Sequence, residues 1–171
     1  MSTCIPINFK NWINDHREFL KPPVGNKMVW KEGGFIVMVV GGPNARQDYH
    51  INETDEFFYQ VEGNMVLKTR NDHGKIVDVP INEGEIYLLS GGVPHSPQRE
   101  ANSVGLVIEK TRVPEDKDSL VWYCEGCDSV LYSETFYLSN IETQLKECFD
   151  RYFGDEKNYT CKKCGRVNPK A

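Results

Sequence analysis

The most informative part of this chain is the segment Gly42–Gly63, with the sequence GPNARQDYHINETDEFFYQVEG. It places an imidazole, His50, six residues before a carboxylate, Glu56, at the junction between a loop and the aromatic run Phe57–Tyr59. A second segment, Gly84–His95, has the sequence GEIYLLSGGVPH and ends on another imidazole. Apolar runs bounded by glycines are typical of short strands that end in tight turns.

The same pattern extends through most of the chain. Apolar and β-branched runs separated by turn residues predict strands at 35–40, 56–61, 65–69, 75–81, 85–89, 104–110 and 120–123. Seven or so short strands spaced about 8–12 residues apart indicate an all-β sandwich or barrel, not a βαβ fold.

Two helices complete the predicted elements. Apolar spacing predicts a short amphipathic helix over 7–20, ended by Pro22 and Pro23. A second helix over 139–153 would begin at a capping box formed by Ser139 and Glu142 and stop at Gly154. The segment 114–118 is polar and predicts a turn or linker. We therefore expect a barrel with its N-terminal helix at 1–119 and an extension docked on it at 120–171.

His50, Glu56 and His95 predict a catalytic metal centre. Two imidazoles and one carboxylate on adjacent strands can occupy one face of an octahedron and leave three positions open, which suits non-haem Fe(II). Any one of them could instead be an ordinary polar residue at a strand end, as we expect for His16 and His73. The agreement of the surrounding patterns sets the three apart.

Two arginines and a carboxylate are candidate neighbours of this centre. Arg46 lies four residues before His50, and Arg99 lies four residues after His95. In a strand, even offsets place side chains on one face, so both arginines could form a carboxylate clamp. Glu109, on the last barrel strand, could take a proton or hydrogen bond from a substrate. The alternatives are solvated arginines and a salt bridge between Glu109 and one of them.

The two segments resemble the two motifs of cupins, which fold as a double-stranded β-helix or jelly-roll barrel. Asn52 stands where the first cupin motif usually has a second histidine, so a three-ligand site replaces the usual four. The longer segments 46–60 and 88–99, the lead-in 33–44 and the cysteine-containing tail resemble 3-hydroxyanthranilate 3,4-dioxygenases, in the short single-cupin form found in bacteria and fungi.

That resemblance implies a specific activity. Members of the family oxidise 3-hydroxyanthranilate with O2 to 2-amino-3-carboxymuconate semialdehyde, which closes to quinolinate, a precursor of NAD in the kynurenine pathway. By position, catalytic Fe(II) would be held by His50, Glu56 and His95. Glu56, Arg99 and Glu109 would contact the substrate, and Arg46 would lie beside O2, with Arg46 and Glu109 acting in catalysis. Asn26, Asp48, Phe58, Pro97 and Ile141 would line or support the pocket. The resemblance also implies a homodimer.

Four of the six cysteines predict a second metal site. They form two Cys-x-x-Cys pairs, Cys124 with Cys127 and Cys161 with Cys164, separated by 33 residues. This spacing is typical of a tetrathiolate centre for zinc or iron, with a structural role. Four unrelated buried thiols are the alternative, a description that suits Cys4 and Cys148.

The bulk composition limits the remaining function classes. The net charge of −5 and the nearly balanced charges of 120–171 argue against nucleic-acid binding. The longest apolar run, 35–40, is too short to span a membrane, and no signal peptide is evident. We expect a soluble, cytoplasmic protein with no membrane partner. Other readings remain: a metallo-cupin isomerase, a dioxygenase for a different aromatic, a non-catalytic binder of small acids, or a β-barrel interaction protein.

Overall fold

A computed structural model describes residues 5–22, 25–30, 33–44, 46–141 and 143–170. Eleven strands occur in these residues: β1 (Asn26–Trp30), β2 (Phe35–Gly41), β3 (Asp48–Ile51), β4 (Glu56–Glu62), β5 (Met65–Arg70), β6 (Ile76–Ile81), β7 (Ile86–Leu89), β8 (His95–Arg99), β9 (Val104–Lys110), β10 (Asp118–Tyr123) and β11 (Val130–Phe136). Three α-helices accompany them: α1 (Phe9–Asp15), α2 (Gln144–Gly154) and α3 (Glu156–Tyr159).

The strands form two antiparallel sheets. One has the order β1-β2-β9-β4-β7 and the other the order β11-β10-β3-β8-β5-β6. Inward side chains of both sheets meet in one apolar core, which includes Phe58 and Val107 from the first sheet and Met65 and Leu67 from the second. The predicted all-β fold class is therefore confirmed.

The seven predicted strands are all present, but four others were not predicted. β3 and β8 lack an apolar signal because their inward positions carry buried polar residues, among them His50 and Arg99. The supposed linker at 114–118 is also partly wrong. Asp118 is the first residue of β10 and is 1% exposed, because it packs inward rather than facing solvent.

The C-terminal segment is joined to the barrel by strand pairing. β10 pairs with β3, with Leu120 opposite His50, so the second sheet continues into the tail. Trp122, which is 1% exposed, stacks on Tyr152 of α2 with ring centroids 4.3 Å apart. The sequence predicts a boundary between the barrel and the C-terminal extension at 119/120. This position lies within β10, and the division into two parts stays a prediction.

Both helices differ from their predicted bounds. The first is shorter, α1 being followed by a 3₁₀ turn at Arg17–Leu20. The second begins at Gln144 rather than Ser139, because the Gln144 side chain accepts hydrogen bonds from the backbone N–H groups of Ser139 and Asn140, both at 2.7 Å. Glu142, the expected partner in the capping box, and Cys4 lie outside the described residues. The predicted stop at Gly154 is confirmed. No helix among the described residues has the length and apolarity needed to cross a membrane.

Candidate active site

His50, Glu56 and His95 converge in the interior of the barrel. Their donor atoms all lie within 4.8 Å of one another, and each residue is at most 5% exposed. His50 and His95 stand opposite each other in β3 and β8. Glu56 opens β4 in the other sheet, so the expectation of adjacent strands is right for the imidazoles and wrong for the carboxylate. The three donors thus approach from both sheets, which fixes their spacing.

The hydrogen bonds around His95 show that a cation fits between these donors. His95 Nδ1 lies 2.9 Å from the carbonyl oxygen of Val93, which can only accept, so Nδ1 carries the ring proton. His95 Nε2 lies 2.9 Å from Glu56 Oε2. A positive charge joins these two atoms, either a proton on Nε2 or a metal ion in its place. The arrangement is a His/Glu/His metal site.

Burial and charge favour the protonation states that a metal requires. Burial lowers the pKa of His50, so its imidazole is neutral near pH 7. Burial alone would raise the pKa of Glu56, but the adjacent His95 and His50 outweigh it and lower that pKa, so the carboxylate is ionised. Neutral imidazoles and a carboxylate are the forms that bind metal ions.

A cavity that is partly open to solvent adjoins the three donors. Arg46, Arg99 and Glu109 all line it, as the sequence predicts, together with Asn26, Phe58, Pro97 and Ile141. Asp48 does not line the cavity and instead binds Arg46. Ile141 and Leu145 bring the C-terminal segment into the cavity wall. By contrast, His16 Nδ1 donates a hydrogen bond to the nearby carbonyl oxygen of Trp12, 2.7 Å away, and His73 is exposed in a turn.

Arg99 is a buried cation that has no ion-pair partner in the part of the chain that the structure describes. It shares β8 with His95, is 4% exposed, and forms no ion pair with any described residue. Its Nη1 donates to Gln60 Oε1 at 3.3 Å, and its Nε has no hydrogen-bond partner among the described residues. Burial lowers the pKa of Arg99 to about 10. A guanidinium in this state is complementary to an anionic group inside the cavity.

Arg46 lines the cavity, but not for the predicted reason. It precedes β3, which begins at Asp48, so the argument from even strand offsets does not apply to it. Both carboxylate oxygens of Asp48 bind its guanidinium, with Nε at 3.0 Å from Oδ1, and the guanidinium carbon lies 5.8 Å from the ring centroid of Phe149. This cation is therefore held in place.

Glu109 lies opposite Glu56 in the pairing of β9 with β4. Burial and the negative charge of Glu56 raise the pKa of Glu109 well above its usual value. The alternative of a salt bridge is partly correct, but the guanidinium belongs to Arg112 and not to Arg46 or Arg99. A carboxyl group of raised pKa in a cavity is a strong base for its type.

Sequence reasoning missed three polar residues of this region: Gln60, Arg112 and Asp118. Gln60 could have been found, because it lies at an even offset from Glu56 in β4 and therefore shares its inward face. Asp118 gave no comparable signal, since it reaches His50 through the long-range pairing of β10 with β3. Arg112 lies in the loop after β9, three residues beyond Glu109.

The four cysteines of the tail also converge. Their sulfurs lie within 4.8 Å of one another, with Cys124 at 3.6 Å from Cys164 and Cys127 at 3.5 Å from Cys161. Backbone N–H groups of Gly126 and Lys163 point at sulfurs from 3.3 and 3.4 Å. Gly165 has φ of +75°, which accommodates the predicted tight turn after Cys164. Cys148 is buried elsewhere, in α2.

The matching family model and the curated relatives name one family. The model of the family described as 3-hydroxyanthranilic acid dioxygenase matches residues 1–153. A curated 3-hydroxyanthranilate 3,4-dioxygenase of Xanthomonas euvesicatoria pv. vesicatoria is 53% identical over 164 residues, covering 96% of this chain and 92% of the relative. One of Scheffersomyces stipitis is 46% identical over 163 residues, covering 95% of each. Among solved structures, a cupin-2 domain-containing protein of Shewanella frigidimarina is 21% identical with a TM-score of 0.49, covering 61% of this chain and 94% of that one. With a matching model across most of its length and relatives at these identities, the chain belongs to the 3-hydroxyanthranilic acid dioxygenase family.

Proposed function

We propose that this protein is an Fe(II)-dependent ring-cleaving dioxygenase that converts 3-hydroxyanthranilate and O2 to 2-amino-3-carboxymuconate semialdehyde. The product would close to quinolinate and supply NAD biosynthesis. Curated relatives at 46–53% identity carry this activity in their names. The observation that carries the proposal is the cavity in which a three-donor metal site and an unpartnered buried guanidinium face the same space.

Iron is the metal that the donors of the pocket favour. His50, Glu56 and His95 offer two imidazoles and a single carboxylate, a set that leaves coordination positions for other molecules. When bound, ferrous iron supplies sites for the substrate's neighbouring hydroxyl and amine groups and for O2. The chain's part is to hold these donors in a cavity of limited access.

Arg99 would bind the substrate carboxylate. Its guanidinium is buried, charged and short of an anion, and it lies in the same strand as His95. Two parallel N–H···O hydrogen bonds to a carboxylate would orient the aromatic ring relative to the metal donors. The apolar walls, Met38, Phe58 and Val107, suit the faces of such a ring.

Glu109 would take the proton of the ring hydroxyl group. Its raised pKa makes its carboxylate a stronger base than an ordinary one, and it faces the metal donors from β9. Glu56 would border the substrate as well as bind the metal. Arg46, fixed by Asp48 beside the cavity, would stabilise negative charge that develops near O2.

The four-cysteine cluster would hold a second divalent metal, zinc or iron, in a structural role. Four sulfurs complete a tetrahedron and leave no position for a substrate. The cluster ties the loop after β10 to the chain end that follows α3, and α2 between them contributes to the cavity wall through Leu145. Reduced thiols held for a metal are consistent with a cytoplasmic location.

A homodimer would cover the outer face of the first sheet. The edge strand β7 exposes Ile86 and Leu88, at 66% and 61%, and these residues lie opposite Tyr59 and Phe57 of β4. A contiguous apolar row on a sheet edge is typical of a surface that a second copy covers. Sedimentation of the protein and of Leu88→Lys would test this, with a monomeric wild type as the contrary result.

Two other readings make different predictions. A metallo-cupin that acts on another aromatic, or an isomerase, would consume no O2 with 3-hydroxyanthranilate. A non-catalytic binder of small acids would retain the compound unchanged. The unpartnered Arg99 fits either, whereas the open metal site beside it favours the dioxygenase.

The test is substrate-dependent oxygen consumption. Protein loaded anaerobically with Fe(II) is mixed with 3-hydroxyanthranilate, and O2 is then admitted while uptake and the semialdehyde absorbance are recorded. The expected result is one O2 consumed for each substrate. Carboxylated phenols without the amine serve as controls, and turnover of one of them in place of 3-hydroxyanthranilate would contradict the proposal.

A further inference from the structure

Four buried ionisable side chains form a continuous chain that starts at one of the metal donors. His50 Nε2 lies 2.7 Å from Asp118 Oδ2. Arg112 then binds both oxygens of Asp118, with Nε at 3.0 Å from Oδ1 and Nη2 at 2.8 Å from Oδ2, and its Nη1 contacts the carboxyl group of Glu109. All four residues are at most 5% exposed.

Asp118 is close to the metal site but does not belong to it. The three residues whose donor atoms lie within 4.8 Å of one another are His50, Glu56 and His95. Asp118 contacts only one of these, on a single ring nitrogen. A carboxylate bound to the ring of a metal-binding histidine commonly fixes the tautomer and the orientation of that ring.

The fold holds Asp118 in this position from two directions. Leu120 lies opposite His50 in the pairing of β10 with β3, and Asp118, two residues earlier, points to the same side of the sheet as Leu120. The planar guanidinium of Arg112 fixes the carboxylate through two hydrogen bonds. Neither oxygen of Asp118 is left to rotate toward another partner.

We propose that Asp118, held by Arg112, is a positioning residue of the metal site. It accepts a hydrogen bond from the Nε2–H of His50, so that the proton stays on the nitrogen that faces Asp118. The other ring nitrogen then keeps its lone pair for the metal, and the ring cannot turn away from Glu56 and His95. This proposal rests on the proposed function, since it assumes that the three donors bind a metal.

A purely structural role is the competing explanation, because removing one member of a buried ion pair destabilises a protein wherever the pair lies. Two measurements separate the alternatives on the full chain with its cysteine cluster loaded with zinc. The first is the Fe(II) affinity of the pocket, by anaerobic competition with a chelator. The second is the set of imidazole ¹⁵N chemical shifts at a pH above the imidazole titrations. The chain has four histidines, which keeps the assignment simple.

For Asp118→Ala we expect Fe(II) affinity about 10- to 100-fold weaker and a His50 ring that no longer shows one fixed tautomer. Asp118→Asn keeps the side-chain volume and one acceptor oxygen. Its Fe(II) affinity and His50 shifts should lie between those of Asp118→Ala and the wild type. Glu134→Gln is the matched control. Glu134 lies on β11, and the change removes its ion pair with Arg151, whose Nε is 3.0 Å from the carboxylate. It should leave Fe(II) affinity and the His50 shifts unchanged.

A folded Asp118→Ala protein with wild-type Fe(II) affinity and wild-type His50 shifts would overturn the proposal. If that variant does not fold, the same two readouts on Asp118→Asn decide in the same way. Failure of the proposed function is distinguishable: the wild type would then bind Fe(II) and respond to the Asp118 variants, yet consume no O2 with 3-hydroxyanthranilate.

Discussion

The pocket of His50, Glu56 and His95 and the cluster of four cysteines are both candidate metal sites, but they are built in opposite ways. The pocket is formed by strands from two sheets, and its donors are surrounded by buried charges that are only partly paired. The cluster is formed by two short turns in the tail, and its four sulfurs face one another. A site that must admit other molecules keeps unpaired polar groups and open coordination positions. A site that only stabilises the chain fills every coordination position of its metal with protein atoms.

The largest expected effect follows from removing a donor of the pocket. His95→Ala should lower turnover by about 10³-fold or more and remove one equivalent of metal, because two donors do not retain the ion. Elemental analysis together with O2 uptake measures both. His73→Ala is the matched control, since His73 is exposed and outside both sites. If His95→Ala kept its full metal content, the assignment of the pocket would be wrong.

Breaking the cysteine cluster should act on stability before chemistry. Cys161→Ser should remove the other metal and lower Tm by roughly 10 °C, while folded protein well below that temperature keeps its O2 uptake. Differential scanning calorimetry and elemental analysis measure the change. Cys148→Ala removes a buried thiol outside the cluster and should leave the metal content unchanged. Loss of turnover without loss of stability would mean that the cluster takes part in the reaction.

Removing the unpaired guanidinium of the pocket should chiefly weaken substrate binding. For Arg99→Ala we expect KM to rise about 100-fold with a smaller change in kcat, since bidentate binding of the carboxylate is lost. Arg99→Lys retains the positive charge but cannot form the two parallel hydrogen bonds, so its KM should lie between those of the wild type and Arg99→Ala. Arg17→Ala, which removes an exposed pair with Glu62, is the control. An unchanged KM in Arg99→Ala would show that Arg99 does not bind the substrate carboxylate.

The smallest expected effect concerns the pH dependence of stability in protein without metal in the pocket. The pKa of Glu109 is raised in the folded state, so its protonated form stabilises the fold below the unfolded pKa of 4.5, and that contribution is lost as pH rises through the folded pKa. Glu109→Gln mimics the protonated form and should lose less stability above pH 4.5. Urea unfolding across pH would show this, and parallel curves for both proteins would argue against it.

Parts of both sites could be predicted from the sequence, for different reasons. The geometry of each Cys-x-x-Cys pair can be predicted from local sequence alone, because a tight turn brings the two sulfurs together whatever the rest of the fold does. His50, Glu56 and His95 could be singled out by the surrounding glycine and strand pattern. Their arrangement across two sheets could not, since the strands that carry the histidines, β3 and β8, have buried polar side chains and little apolar signal.

One missed residue, Asp118, is placed by distant strand pairing. Asp118 lies in a polar stretch that suggests a linker, and only the alignment of β10 with β3 brings it to His50. Arg112 replaces the predicted arginines as the partner of Glu109, and it lies only three residues away from it in the sequence. Local pattern identifies the donors of a site, while the groups that hold those donors depend on the assembled sheet.

The most direct test of the account is anomalous diffraction at the iron edge from crystals of Fe(II)-loaded protein grown without O2. We expect an iron peak within bonding distance of His50, Glu56 and His95, with the remaining positions taken by solvent or by added 3-hydroxyanthranilate. No peak in that pocket, or an ion whose coordination is completed by a fourth protein side chain, would contradict it.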